Sequence, residues 1–223
     1  MKYKAIIFDM DGTIVDTESI WRSSVKQLLT KKGIVITPGL EHQLINDLNG
    51  IMLPQACHYL KHTFSLEDTL EDLINEKSAL AHSLYQTGVQ FIQGFEDFHD
   101  VATRIHKLKT GLATNAQDHT LAITKSQLKL ERFFGTHLYN ISHVNNLGKP
   151  HPAIYLHAAR QLEVDPVKCI AVEDSAHGIA AAKAAGMLCI GINTSGNAQQ
   201  TSKADIKINR YDEVNLHAIL SSI

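Results

Sequence analysis

Lys4-Ala5-Ile6-Ile7-Phe8-Asp9-Met10-Asp11-Gly12-Thr13 is the stretch on which the reading of this chain turns. Ala5 to Phe8 is a short apolar run, as expected of a strand buried on both faces in a parallel sheet. The run stops at two carboxylates one residue apart, followed by a glycine. In open α/β sheets ligands bind beyond the carboxyl ends of the strands, so Asp9 and Asp11 are candidates for the mouth of a site. Residues i and i+2 of an extended chain share a face, and two bare carboxylates that close repel. A divalent cation relieves that repulsion, and Mg²⁺ favours oxygen ligands. Asp-Gly is also a common turn dipeptide, so this stretch alone does not decide the matter. The glycine comes too early for an EF-hand loop.

Composition bounds the answer. The chain has 223 residues, 44% of them hydrophobic, and a net charge of −2. This fits a globular protein and gives no electrostatic reason to expect nucleic acid or a membrane as a partner. No apolar run approaches the ~20 residues of a spanning helix. The N-terminus enters a strand with no signal-peptide core. Cys57, Cys169 and Cys189 are widely spaced in apolar contexts, as for reduced thiols of a cytoplasmic protein. The 13 histidines follow no metal-binding spacing, and most are expected at the surface. Nothing demands more than a monomer.

Residues 16–87 read as helix. Trp21, Val25, Leu28 and Leu29 form one stripe, stopped at Lys31-Lys32-Gly33. Thr37-Pro38 opens a second helix carrying Leu40, Leu44 and Leu48, ended by Asn49-Gly50. Leu53, Cys57, Leu60 and Phe64 form a third stripe. Ser65 to Asp68 resembles a capping box opening a fourth helix, from Leu66 to Gly88. Beyond residue 95, helices and short strands alternate. Phe98, Val101, Ile105 and Leu108 mark a helix. Strands are expected at 111–115, 137–141, 169–172, 188–192 and 206–208, with helices near 118–130, 153–162, 177–185 and 213–220, and a polar loop or short helix at 193–203. The pattern predicts a doubly wound, Rossmann-like parallel sheet. Residues 1–15 and 90–223 make that α/β domain, and residues 16–89 an inserted all-helical one.

Four strand ends or loops carry polar groups: Asp9 and Asp11, Thr114 and Asn115, Lys149, and Glu173 with Asp174. The set suits phosphoryl transfer. Asp9 is a carboxylate nucleophile, expected to be ionised at neutral pH because free Asp titrates near ~3.9. Asp9, Asp174 and the Asp11 carbonyl are candidate Mg²⁺ ligands. Lys149 adds positive charge, and Thr114 with nearby N–H groups can donate to phosphoryl oxygens. Asp11 can protonate the leaving oxygen and later activate water. Each residue alone has a plainer reading, since Glu173-Asp174-Ser175 could simply cap a helix. Their order along the chain favours the joint one.

On these residues the chain resembles the haloacid dehalogenase superfamily, in the subfamily with a helical cap after the first strand. Asp9-Met10-Asp11-Gly12-Thr13, Thr114, Gly148-Lys149-Pro150 and Val172-Glu173-Asp174-Ser175 look like its four motifs. The resemblance covers nearly the whole chain and implies a Mg²⁺-dependent phosphatase or phosphomutase working through an aspartyl-phosphate. It makes Asp174 a direct metal ligand and Glu173 either a further ligand or a support behind the ligands. Asp11 argues against dehalogenases, which lack it, and against phosphonatases, which carry Ala there. β-Phosphoglucomutases are similar, but have a His where Trp21 stands and an Arg where Leu53 stands; Lys77 lies near the family's cap lysine. Losing two such groups favours hydrolysis of small phosphomonoesters, with sugar phosphates the expected substrates. Glu18, Trp21 and Lys77 are candidates for substrate choice, and hinges are expected near 14–18 and 87–94. Gln93 stands where the family commonly has Pro before Gly94. The rival readings are a sugar phosphomutase and a non-catalytic binding protein on the same scaffold. No GxGxxG follows the first strand, which disfavours dinucleotide binding.

Overall fold

In the computed structural model, which describes residues 2–48 and 53–221, the chain forms two compact units: Met1–Asp16 with Gln90–Ile223, and Thr17–Val89. Asp16 belongs to the first unit because its N–H donates to the Gln90 carbonyl (2.9 Å). The Ile92 N–H likewise donates to the Ile14 carbonyl, at 2.9 Å. The two connecting segments therefore run side by side as an antiparallel pair centred on Val15 and Phe91.

The first unit is built on a six-stranded sheet. Its strands are β1 (Ala5–Phe8), β2 (Lys109–Ala113), β3 (Leu138–Tyr139), β4 (Cys169–Glu173), β5 (Leu188–Ile192) and β6 (Ile206–Ile208). The order is β3-β2-β1-β4-β5-β6, and every pairing is parallel. The winding direction reverses between β1 and β4, the position at which open α/β sheets leave a crevice.

Because β1 is central, both its faces are covered. Ala5 and Ile7 pack into a core with Ile154, Tyr155, Ala158 and Ile179. Those residues come from α8 (Ala153–Gln161) and α9 (Ala176–Ala184). Phe8 faces the other way, against Phe95 and Phe98 of α5 (Phe95–Asp100) and Phe134. α6 (Asp118–Leu128), α7 (Glu131–Phe134) and α10 (Leu216–Ser221) complete this unit.

The helix after residue 95 departs from the sequence reading. Val101 and Ile105 are 42% and 68% exposed, and residues Val101–Ile105 are π-helical. The buried stripe is Phe95, Phe98, His99 and Ala102, at i, i+3, i+4 and i+7. Val101 and Ile105 lie off this stripe, on the solvent side.

The second unit contains α1 (Glu18–Lys31), α2 (Pro38–Leu48), α3 (Leu53–Thr63) and α4 (Leu70–Thr87). Val25, Leu28, Leu29, Leu44, Cys57, Leu60 and Leu73 form its core. α4 starts four residues later than the Ser65 capping box suggests. Thr69 is the N-cap, accepting from the Asp72 N–H at 3.1 Å. Ser65 instead takes a positive φ of 50°, and the Lys61 ammonium donates to the Leu66 carbonyl (2.8 Å), holding the turn outside the helix. The proposed stop at Asn49-Gly50 lies outside the described residues. None of the described helices is long and apolar enough to cross a membrane.

Candidate active site

The register brings the site together. Phe8 pairs with Val172 on one side and Leu112 on the other. The residues just beyond are therefore neighbours: Asp9 after β1, Glu173 and Asp174 at the end of β4, and Thr114 after β2. The Asp9 N–H continues the ladder to the Val172 carbonyl at 3.0 Å. Carboxylate oxygens of Asp9, Glu173 and Asp174 lie within 4.8 Å of one another.

Lys149 reaches into this cluster from the loop before α8. Its ammonium donates to Asp9 Oδ1 (2.5 Å), Glu173 Oε1 (2.6 Å) and the Ala113 carbonyl (2.8 Å). Those three bonds use every proton an ammonium has. Burial alone would lower the Lys149 pKa, but the Asp9 and Glu173 carboxylates outweigh that and hold it above its ordinary value. Asn115 sets the loop from behind: its Oδ1 accepts from the Lys149 N–H (2.9 Å) and its Nδ2 donates to the Lys149 carbonyl (3.4 Å). The Asn115 amide thus clamps backbone and positions Lys149. Thr114 is buried, and its hydroxyl accepts from the Ala116 N–H at 3.0 Å.

Two glycines make room for the acids. A Cβ on Gly12 would lie 2.2 Å from Asp174 Oδ2, and Gly12 has φ +77°, a conformation that favours glycine. A Cβ on Gly178 would lie 1.9 Å from the Glu173 carboxyl. Ser175 makes two contacts. Its Oγ caps α9 by accepting from the Gly178 N–H (3.1 Å), and it also donates to Glu173 Oε2 (3.2 Å). Thr13 donates weakly to Asp174 Oδ1 at 3.4 Å. Asp11 is half-buried in the tight turn closed by the Gly12 N–H on the Val15 carbonyl, at 2.9 Å.

The electrostatics correct one expectation. Asp9 does not keep a free carboxylate's acidity. Burial, which outweighs the opposing pull of Lys149, and the neighbouring Glu173 push its pKa up to about 7. Asp174 is raised well above its ordinary value, chiefly by burial and then by Asp9 and Glu173. Three carboxylates face one ammonium, an imbalance of two charges that a divalent cation would neutralise. The donor set therefore fits a hard, oxygen-seeking metal.

This imbalance carries a pH prediction. A carboxyl whose folded pKa rises from 3.8 to about 7 binds more protons folded than unfolded in that window. In the metal-free protein, its contribution to stability is lost as pH climbs through the window. A cation must displace those protons to bind. A divalent cation held by this cluster should therefore raise the melting temperature more at pH 8 than at pH 5.5, as read by differential scanning fluorimetry with added Mg²⁺. At one hundred times the dissociation constant, the stabilisation at pH 8 is about 2.7 kcal/mol.

In the helical unit, the Lys77 ammonium stands 4.6 Å from the centre of the Trp21 ring. Lys77 is only 3% exposed. Burial lowers its pKa, opposed by Cys57 and Glu18. The three cap candidates are thus neighbours where α1 runs along α4.

Several contributors were not singled out from sequence. Tyr155 donates its hydroxyl to Glu173 Oε1 at 2.6 Å. Thr194, in the polar loop after β5, donates to the Gly12 carbonyl at 2.5 Å. Buried Tyr211 donates to the Thr13 carbonyl at 3.0 Å. For Thr194 and Tyr211 the sequence offers no signal, because each acts through a main-chain carbonyl far away in the chain.

Comparison with known proteins decides the family. Residues 3–186 match the haloacid dehalogenase-like hydrolases. The chain belongs to this family. A phosphorylated carbohydrates phosphatase of Thermotoga maritima is 29% identical over 82% of both chains. Hexitol phosphatase B of Escherichia coli is 27% identical over 97% of this chain and 96% of its own. Among solved structures, a family hydrolase of Deinococcus radiodurans with bound phosphate and sodium superposes with a TM-score of 0.77, at 24% identity, covering 98% of this chain and 95% of that one. This last likeness speaks to fold alone. The chain is accordingly a hydrolase on the family's parallel α/β fold, with an acidic cluster able to hold a metal.

Proposed function

We propose that this hydrolase is a Mg²⁺-dependent phosphatase of small phosphomonoesters, with sugar phosphates as substrates, working through an aspartyl-phosphate on Asp9. The observation that carries the reading is the cluster of Asp9, Glu173 and Asp174 around the Lys149 ammonium. The phosphatase names of the relatives support the substrate class.

Asp9, Asp174 and the Asp11 carbonyl would hold Mg²⁺, with Glu173 beside them. The ion would supply positive charge against the substrate phosphate and keep Asp9 ionised. Asp9 uses a carboxylate oxygen to form a bond to phosphorus as the bond to the alcohol oxygen breaks. Asp11 gives its proton to the departing oxygen. It then takes a proton from the water that attacks phosphorus, releasing orthophosphate and restoring Asp9. Lys149 contributes charge, since its protons are engaged by Asp9, Glu173 and Ala113. Thr114 and the main chain around Asn115 supply donors to the phosphoryl oxygens. Glu18, Trp21 and Lys77 of the helical unit, acting as a cap, select the substrate. Three buried, unpaired cysteines support a cytoplasmic location. The reading needs only a monomer, with neither nucleic acid nor membrane as a partner.

Phosphorus NMR of single sugar monophosphates incubated with enzyme and Mg²⁺ tests this. Orthophosphate should accumulate. An isomer accumulating without orthophosphate would favour the mutase, for which Leu53 on α3 offers no cation. An unchanged spectrum across a broad panel would overturn both.

A further inference from the structure

Tyr155 lies on α8, six residues beyond Lys149, fully within the core of the sheet unit. Two of its features address the site. The hydroxyl donates to Glu173 Oε1 at 2.6 Å, the same oxygen that accepts from Lys149 at 2.6 Å. The ring centre is 4.9 Å from the Lys149 ammonium, within cation–π range. One side chain thus touches both members of the Lys149–Glu173 ion pair. Ser175 donates to the other Glu173 oxygen at 3.2 Å, and Gly178 brings α9 against the Glu173 carboxyl from behind.

The geometry points to Tyr155 as a positioning residue that sets how strongly Glu173 holds the Lys149 ammonium, and thereby how much of its charge serves Asp9 and a bound phosphate. This rests on the reading of Asp9 and Lys149 as the phosphate-handling pair. Tyr155 and Lys149 compete for one acceptor, Glu173 Oε1. Glu173 is wholly buried, so its charge must be satisfied by neighbouring donors. The Tyr155 hydroxyl satisfies part of it. Without that hydroxyl, Glu173 leans harder on Lys149 and draws the ammonium away from Asp9. The ring face then keeps the ammonium in the pocket but not at its working position.

Tyr155→Phe keeps the ring and removes only the hydroxyl; Tyr155→Leu removes both. Two readouts follow: kcat/KM for p-nitrophenyl phosphate with Mg²⁺, and the dissociation constant of inorganic phosphate from its thermal stabilisation of the Mg²⁺-loaded protein. Tyr155→Phe should lower kcat/KM about tenfold and weaken phosphate by a comparable factor, the size of one hydrogen bond to a charged group. Mg²⁺ affinity should stay within twofold. Tyr155→Leu should lose more on both readouts.

A double-mutant cycle keeps the proposal falsifiable should either variant be less stable. If Tyr155 acts through Glu173, adding Tyr155→Phe to Glu173→Gln should cost less than twofold in phosphate affinity. Full additivity would overturn the proposal, as would Tyr155→Phe within twofold of wild type on both readouts. Wild-type protein that neither turns over the ester nor binds phosphate would overturn the underlying reading, and this proposal with it.

Discussion

Asp9→Asn should abolish turnover, with kcat falling by about 10³-fold or more, as for loss of a covalent nucleophile. The amide keeps the shape of the side chain, and its oxygen can still accept from Lys149, but it cannot form the acyl-phosphate. The variant also separates chemistry from folding. Ionised Asp9 is unfavourable in the metal-free protein at pH 8, since burial and Glu173 raise its pKa to about 7. Removing that charge should leave the metal-free melting temperature equal to wild type or above it. A dead variant that melts no lower than wild type supports the nucleophile assignment. Full activity in Asp9→Asn would refute it.

Lys149→Met carries the second large effect, on stability and activity together. The ammonium sits between Asp9 and Glu173 with its side chain 4% exposed. Breaking a buried charge pair by removing one partner costs about 3–5 kcal/mol. Here the exposed cost depends on pH, because the abandoned carboxyls can take up protons instead. The drop in melting temperature should be larger at pH 8 than at pH 5.5, and kcat/KM should fall by about 10³-fold with the loss of charge at the phosphate. A variant with wild-type melting at both pH values would mean that the three Lys149 bonds contribute little to the fold.

The parts of this architecture that could be read in the chain share a property. Each lies within a few residues of a sharp change in texture. Ala5–Phe8 breaks off at Asp9, and Cys169–Val172 at Glu173, so strand ends and polar groups were found in one step. The parallel, doubly wound character of the sheet is legible from the alternation of strand and helix, whereas the strand order is not. What escaped reading depends on contacts remote in sequence. Tyr155 occupies a core position on α8 and looks like any apolar helix residue, so nothing local reveals that its hydroxyl meets Glu173. Gly178 reads as one small residue in an alanine-rich helix, although the Glu173 carboxyl occupies the space its side chain would need. The stripe after residue 95 is hard to read because apolar Val101 and Ile105 are exposed while polar His99 and small Ala102 are buried on the true 3.6-residue face. The start of α4 is ambiguous in sequence because Ser65-x-x-Asp68 and Thr69-x-x-Asp72 are equivalent as patterns. Only the positive φ at Ser65 and the Lys61 contact separate them. Asp9's acidity escapes a sequence reading for a related reason: a free residue's value ignores first the burial and then the neighbouring Glu173 carboxylate that folding imposes.

The central claim is that Asp9 carries the phosphoryl group during turnover. The most direct test quenches the working enzyme in acid, reduces it with borohydride and maps the product by peptide mass spectrometry. An aspartyl-phosphate is reduced to homoserine, so the account predicts that mass change at residue 9, dependent on both substrate and Mg²⁺. Steady turnover with Asp9 unmodified, or with the change at another residue, would contradict it.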